Sequence, residues 1–138
     1  MAAVGRGVAV VRWQHDASGN TTEESYFGAD GRPTTDRPRG VASVRWQYGP
    51  QGKAVEESYF GPDGRPMQDK NRSVAMVRWQ YDDSSNTIEE RYFGTDLQPA
   101  ADSRHGAAII RWEYDRYGRE VGTSTFDRNE QPVRSIRN

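Results

Sequence analysis

The chain has 138 residues, 33% of them hydrophobic and 28% charged, and its 19 Lys and Arg against 20 Asp and Glu leave a net charge of -1. That balance supplies no basic platform for nucleic acid or an anionic membrane, and no apolar run approaches the ~18 residues that cross a bilayer. Cysteine is absent, which removes a disulfide framework, a thiolate metal site and a Cys nucleophile.

After a leader, Met1–Arg6, four blocks of 33 residues follow without insertion or deletion: 7–39, 40–72, 73–105 and 106–138. Such a period predicts a quasi-one-dimensional array of similar units. The leader lacks the apolar core of a secretory signal, and a bacterial cytoplasmic location is the favoured expectation. Four columns hold in every block: Arg12, Arg45, Arg78 and Arg111; Trp13, Trp46, Trp79 and Trp112; Phe27, Phe60, Phe93 and Phe126; Pro33, Pro66, Pro99 and Pro132.

The first segment of each block, Val8–His15 and its copies, is rich in Val, Ile, Trp and Tyr, which is strand composition. It ends at Asp16-Ala17-Ser18-Gly19, the signature of a type I turn closed by a left-handed Gly in a three-residue hairpin loop. Block three has Ser85 in place of that Gly, so its turn is expected to be strained or differently shaped. The second strand runs from about Thr21 to Phe27 and ends in a turn of the same kind, Gly28-Ala29-Asp30-Gly31. The short third segment, Arg32–Asp36, carries Pro33 with its missing N–H turned away from the second strand, and it is expected to be an edge. No segment shows helical periodicity.

The loop type implies a register in which Trp13 faces Glu23, Arg12 faces Glu24 and Ala9 faces Phe27. Alternation then places Ala42, Val44, Trp46, Tyr48, Ser58 and Phe60 on the core face, and Arg45, Gln47, Glu57 and Tyr59 on the wet face. Arg12/Glu24, Arg45/Glu57 and Arg78/Glu90 become cross-strand pairs within their own hairpins. A slip of one residue would exchange the faces. One block buries too little apolar surface, at roughly 25 cal/mol per Å², to offset ordering its chain at about 1–2 kcal/mol per residue, so neighbours must stack. Block four has Gly122, Thr123 and Thr125 where the others have two carboxylates and a Tyr, the degeneration expected of a terminal cap. The expected fold is all-β: four hairpin or meander units in an open array, with a closed four-bladed propeller-like ring as the alternative.

The run Arg-Trp-Gln-Tyr-Asp-x-x-Gly-Asn followed by Glu-Glu-x-Tyr-Phe-Gly-x-Asp-Gly-x-Pro resembles tandem β-hairpin repeats of bacterial multidomain proteins. Tyr81-Asp82 and Tyr114-Asp115-Arg116-Tyr117-Gly118-Arg119 are similar in outline to the YD repeats of the Rhs and teneurin type, and the Tyr/Phe-Gly and Asp-Gly steps to MORN and WG repeats. The period of 33 is longer than the YD and MORN units. The resemblance spans residues 7–138 and implies a scaffold, shell or binding surface with no catalytic residue to carry over.

The candidate sites follow from the register. Arg12, Glu24, Tyr26, Arg45, Gln47, Glu57, Tyr59, Arg78, Gln80, Glu90 and Tyr92 form the candidate binding face. Trp13, Phe27, Trp46, Tyr48, Phe60, Trp79, Tyr81, Phe93, Trp112, Tyr114 and Phe126 are the expected core aromatics. Adjacent carboxylates such as Glu23 and Glu24 point to opposite faces of a strand and do not converge for acid–base work. Asp30-Gly31 and Asp63-Gly64 are turn chemistry without the spaced oxygens of a calcium loop. His15 and His105 have no matching ligand or nucleophile, and the glycines lack phosphate-loop spacing. No cofactor or metal is expected. The reading is a non-enzymatic module for protein interaction or display. The alternatives are a multivalent glycan-binding module using the Trp and Tyr columns, and a structural protein that self-associates through its sheet edges.

Overall fold

A computed structural model describes residues 8–133, and the leader, Gly7 and the last five residues of block four lie outside that range. The described residues form one eight-stranded antiparallel sheet in which every strand pairs with its sequence neighbours. The strands are β1 (Val10–His15), β2 (Thr21–Phe27), β3 (Ser43–Tyr48), β4 (Ala54–Phe60), β5 (Met76–Tyr81), β6 (Thr87–Phe93), β7 (Ile109–Tyr114) and β8 (Glu120–Phe126). β1 and β8 are not paired with each other, so the sheet is open rather than closed into a ring.

The hairpin turns follow the expected chemistry. Gly19 N–H donates to the Asp16 carbonyl at 3.0 Å, and Gly19 sits at φ 87°. The Asp16 carboxylate also accepts from the Ser18 and Asn20 backbone N–H groups, which holds the loop in shape. Ser85 keeps the same bonds at φ 67°. The turn of block three is therefore not differently shaped; it carries the strain of a non-Gly residue in the left-handed region. Leu97 at φ 62° and Glu130 at φ 63° take the Gly position of the second turn in blocks three and four.

Beyond the turn the register departs from expectation. His15 pairs with Thr21, but Gln14 pairs with Glu23, leaving Thr22 as an extra residue in β2. Val55, Ile88 and Val121 are skipped in the same way. Each is a β-bulge, and each moves the rest of the second strand by one place. Trp13 therefore faces Glu24 and Val11 faces Tyr26, while Arg12 faces Ser25 and Val10 faces Phe27. The first strand keeps its expected faces and the second strand exchanges them.

This bulge corrects the core. Tyr26, Tyr59 and Tyr92, expected on the wet face, are at most 2% exposed. They share the inner face with the Trp column and with Val44, Val77 and Ile110. Phe27, Phe60, Phe93 and Phe126, expected in the core, are half-buried on the outer face under the Arg column. Trp46, Trp79 and Trp112 pack at the rim of the inner cluster, and Trp13 is 54% exposed. Tyr48, Tyr81 and Tyr114 reach sideways and donate their hydroxyls to the Thr21, Ala54 and Thr87 carbonyls of the preceding hairpin.

The third segment forms no full strand. Pro33 makes a single bridge to Phe27, flanked by Gly28 N–H to Arg32 carbonyl and Thr34 N–H to Tyr26 carbonyl bonds. The chain then turns back through a linker, residues 35–41, into the next hairpin. Val41, Val74 and Ala107 at the linker ends belong to the inner cluster with Tyr59 and Tyr92. Successive linkers bond to each other, Lys70 N–H to Arg39 carbonyl at 2.9 Å and Ser103 N–H to Arg72 carbonyl at 2.7 Å. Stacked linkers and sheet together enclose the core, which is how units too small to fold alone share one interior.

Candidate functional site

The two faces of the sheet carry two different polar systems, built from alternate members of the Glu-Glu pair. On the inner face the second carboxylate is a node. Glu57 accepts from the Trp46 indole N–H at 2.9 Å and from the Tyr59 hydroxyl. Glu24 does the same for Trp13 and Tyr26, and Glu90 for Trp79 and Tyr92. Arg39, from the linker, donates to the Tyr26 hydroxyl at 3.0 Å. Burial, reinforced by the bound carboxylate, drives the Tyr26, Tyr59 and Tyr92 phenols far above their ordinary range. Burial opposes the charge on Arg39, but Tyr26, Glu57, Glu24 and Asp36 outweigh it and raise its pKa.

The linkers hold a second buried group that the sequence reading did not single out. Asp36, Asp69 and Asp102 are at most 3% exposed. Asp69 accepts from the Arg72 and Val74 backbone N–H groups, and Asp36 from those of Arg39 and Val41. These carboxylates satisfy the turn that carries the chain from one block to the next. The same position in block three's linker has the Asp102 carboxylate 2.8 Å from His105 Nδ1. The signal was present in the sequence, since Asp occupies one column in three blocks.

The outer face is the exposed one. There the expected Arg–Glu pairs form, but between hairpins and with the other carboxylate. Arg45 Nε lies 3.2 Å from Glu23, Arg78 Nε 3.1 Å from Glu56, and Arg111 Nε 2.9 Å from Glu89. Each Arg also covers the Phe of its own hairpin, with centroid distances of 5.0 Å for Arg12 on Phe27, 4.3 Å for Arg45 on Phe60, 5.2 Å for Arg78 on Phe93 and 4.7 Å for Arg111 on Phe126. A guanidinium held between an aromatic face and a carboxylate is fixed in direction while its outer edge stays in solvent.

Of the expected binding-face residues, Arg12, Arg45, Gln47, Arg78 and Gln80 lie on this outer face and are exposed. Glu24, Glu57, Glu90, Tyr26, Tyr59 and Tyr92 do not; the bulge turns them inward. Glu23, Glu56 and Glu89 take the carboxylate place, and Arg91 adds a cation in block three, bonded to Glu89. Burial raises the pKa of Glu89, but Arg91 and Arg111 override it and leave the carboxyl below its ordinary value. An open groove of about 630 Å³ crosses this region, lined by Gln47, Glu56, Arg78, Gln80, Glu89 and Arg91 among others. Among the described residues no group of three or more His, Asp and Glu side chains is placed to hold a metal ion.

Comparison with known protein families and with curated protein sequences finds no match to the chain.

Proposed function

We propose that the chain is a non-enzymatic module that binds or displays protein partners through its outer face. The observation that carries this reading is the row of oriented Arg side chains, each clamped by a Phe and, from β3 onward, by a Glu of the preceding hairpin. Between them the Gln47 and Gln80 amides stand free of the carboxylate network. Pre-oriented guanidinium and amide groups over a shallow groove suit a polypeptide surface, because little side-chain freedom is lost on binding. The repetition of the row supports multivalent contact better than one asymmetric reacting centre. The sugar-stacking alternative is less well supported, since Tyr26, Tyr59 and Tyr92 are buried and the Trp46 and Trp79 indoles donate inward.

The test is a capture experiment from lysate of the source cells with the wild-type chain and an Arg78→Glu/Gln80→Ala variant. Both are first shown to melt at similar temperatures. A partner retained by the wild type and lost by the variant supports the face. A partner set held equally by both refutes it.

A further inference from the structure

β3, β5 and β7 are each covered on one side by the second strand of the preceding hairpin, in a single register. Glu23 faces Arg45, Glu24 faces Val44 and Ser25 faces Ser43. The same three places are Glu56–Arg78, Glu57–Val77 and Ser58–Met76, then Glu89–Arg111, Glu90–Ile110 and Arg91–Ile109. β1 has the same strand chemistry, Val10-Val11-Arg12-Trp13, and among the described strands only β2 pairs with it. The cost shows in exposure. Val10 is 42% exposed where its counterparts Met76 and Ile109 are 7% and 2%. Trp13 is 54% exposed where Trp46, Trp79 and Trp112 are half-buried. Arg12 is the one member of its column with no carboxylate partner among the described residues.

The opposite edge does not match. At the places where β2, β4 and β6 carry Glu-Glu-x-Tyr beside the next hairpin, β8 carries Gly122-Thr123-Ser124-Thr125. A second copy docking through β8 would set Gly122 against Arg12 and supply neither the ion pair nor the Tyr. The two edges are therefore unlike: one keeps the full half-interface and the other has lost it.

We propose that the β1 edge is a docking site for an extended segment of the Glu-Glu-x-Tyr type carried by another polypeptide. The segment adds as an antiparallel strand beside β1, with its first Glu opposite Arg12 and its second opposite Val11. Main-chain hydrogen bonds supply affinity and the Arg12 pair supplies register. This rests on the reading of the chain as a protein-binding module and names one of its partners by chemistry.

The probe is the octapeptide Ala-Val-Glu-Glu-Ser-Tyr-Phe-Gly, titrated into the isotopically labelled full chain. Amide shifts confined to residues 9–14 and a blue-shifted rise in Trp13 emission are expected. Arg12→Glu should weaken binding by about two- to five-fold or more, the scale of a cross-strand charge pair. A peptide with both Glu replaced by Lys should reverse the order, binding the Arg12→Glu chain better than the wild type. That swap keeps the test informative if the single variant loses its packing on Phe27. The proposal is overturned by no shift in β1 at millimolar peptide, or by shifts that map to β8 or to the outer face of β3–β7. It is also overturned by self-association the peptide cannot displace, or by binding that needs Met1–Arg6 removed. None of these outcomes touches the Arg78/Gln80 capture test, because Arg78 and Gln80 lie on β5, away from the β1 edge.

Discussion

Tyr59 is where the bulge can be measured. Without the bulge its ring would stand in solvent, and Tyr59→Phe would change stability by less than about 0.5 kcal/mol. With the bulge its hydroxyl is buried and donates to the Glu57 carboxylate, which also holds the Trp46 indole. Tyr59→Phe leaves the ring in place, so no cavity term enters. What is lost is a hydrogen bond to a charged acceptor, worth about 1.5–3 kcal/mol. Urea unfolding followed by circular dichroism reads this directly. With a slope near 1.5 kcal/mol per M, the midpoint should fall by about 1–2 M with the slope unchanged. Glu57→Gln completes a double-mutant cycle. A coupling energy of at least about 1 kcal/mol between the two positions is expected, as for residues sharing one bond in a buried network. A midpoint shift under about 0.3 M, or additive effects, would refute both the inward placement of Tyr59 and the node built on Glu57.

Three further outcomes follow from the same geometry. Asp69→Ala should cost about 1–3 kcal/mol, because it strips the buried acceptor from the Arg72 and Val74 backbone N–H groups; an unchanged melting temperature would count against it. Ser85→Gly and Leu97→Gly should each raise stability by about 0.5–1 kcal/mol, since both residues occupy the left-handed region without the freedom of Gly; calorimetry of the single and double variants checks sign and additivity. Glu89 has a folded pKa below its unfolded one, so its contribution is present above about pH 4.3 and is lost as pH falls through the depressed folded value. Glu89→Gln should flatten the acid limb of the stability curve between those two points, and a parallel limb in both proteins would show that Arg91 and Arg111 do not stabilise the charge.

Much of the fold was legible because it depends on local chemistry. The period, the Gly turns and the β-branched strand runs each impose a conformation within a few residues. The faces were not legible, and the reason is specific. Tyr59 and Phe60 are adjacent aromatics of similar size, so alternation alone assigns one inward and one outward without saying which. The deciding feature is the extra residue at Thr22, Val55, Ile88 and Val121. A β-branched residue next to a turn gives no warning of a bulge, since it is equally at home in a regular ladder. The Arg column was correctly placed outward, but its partner is set by the neighbouring hairpin, and single-hairpin reasoning cannot reach across a linker.

The Glu-Glu pair shows why the bulge matters to function as well as packing. In a chain only 33% hydrophobic, stacked units need polar as well as apolar contacts between them. One Glu turns inward, tying Trp and Tyr of its own hairpin beside the linker Arg; the other turns outward, tying the Arg of the next hairpin. Both contacts require the residue order of β2, β4 and β6, and β8 has neither carboxylate. The pair on β2, β4 and β6 and its absence from β8 therefore make the two ends of the array unlike. A strand with both acids supplies the ion pair and the Trp–Tyr node to the contact with the next block, whereas Gly122 and Thr123 supply neither. The same rule that stacks the blocks leaves β1, and not β8, with half of an interface to offer.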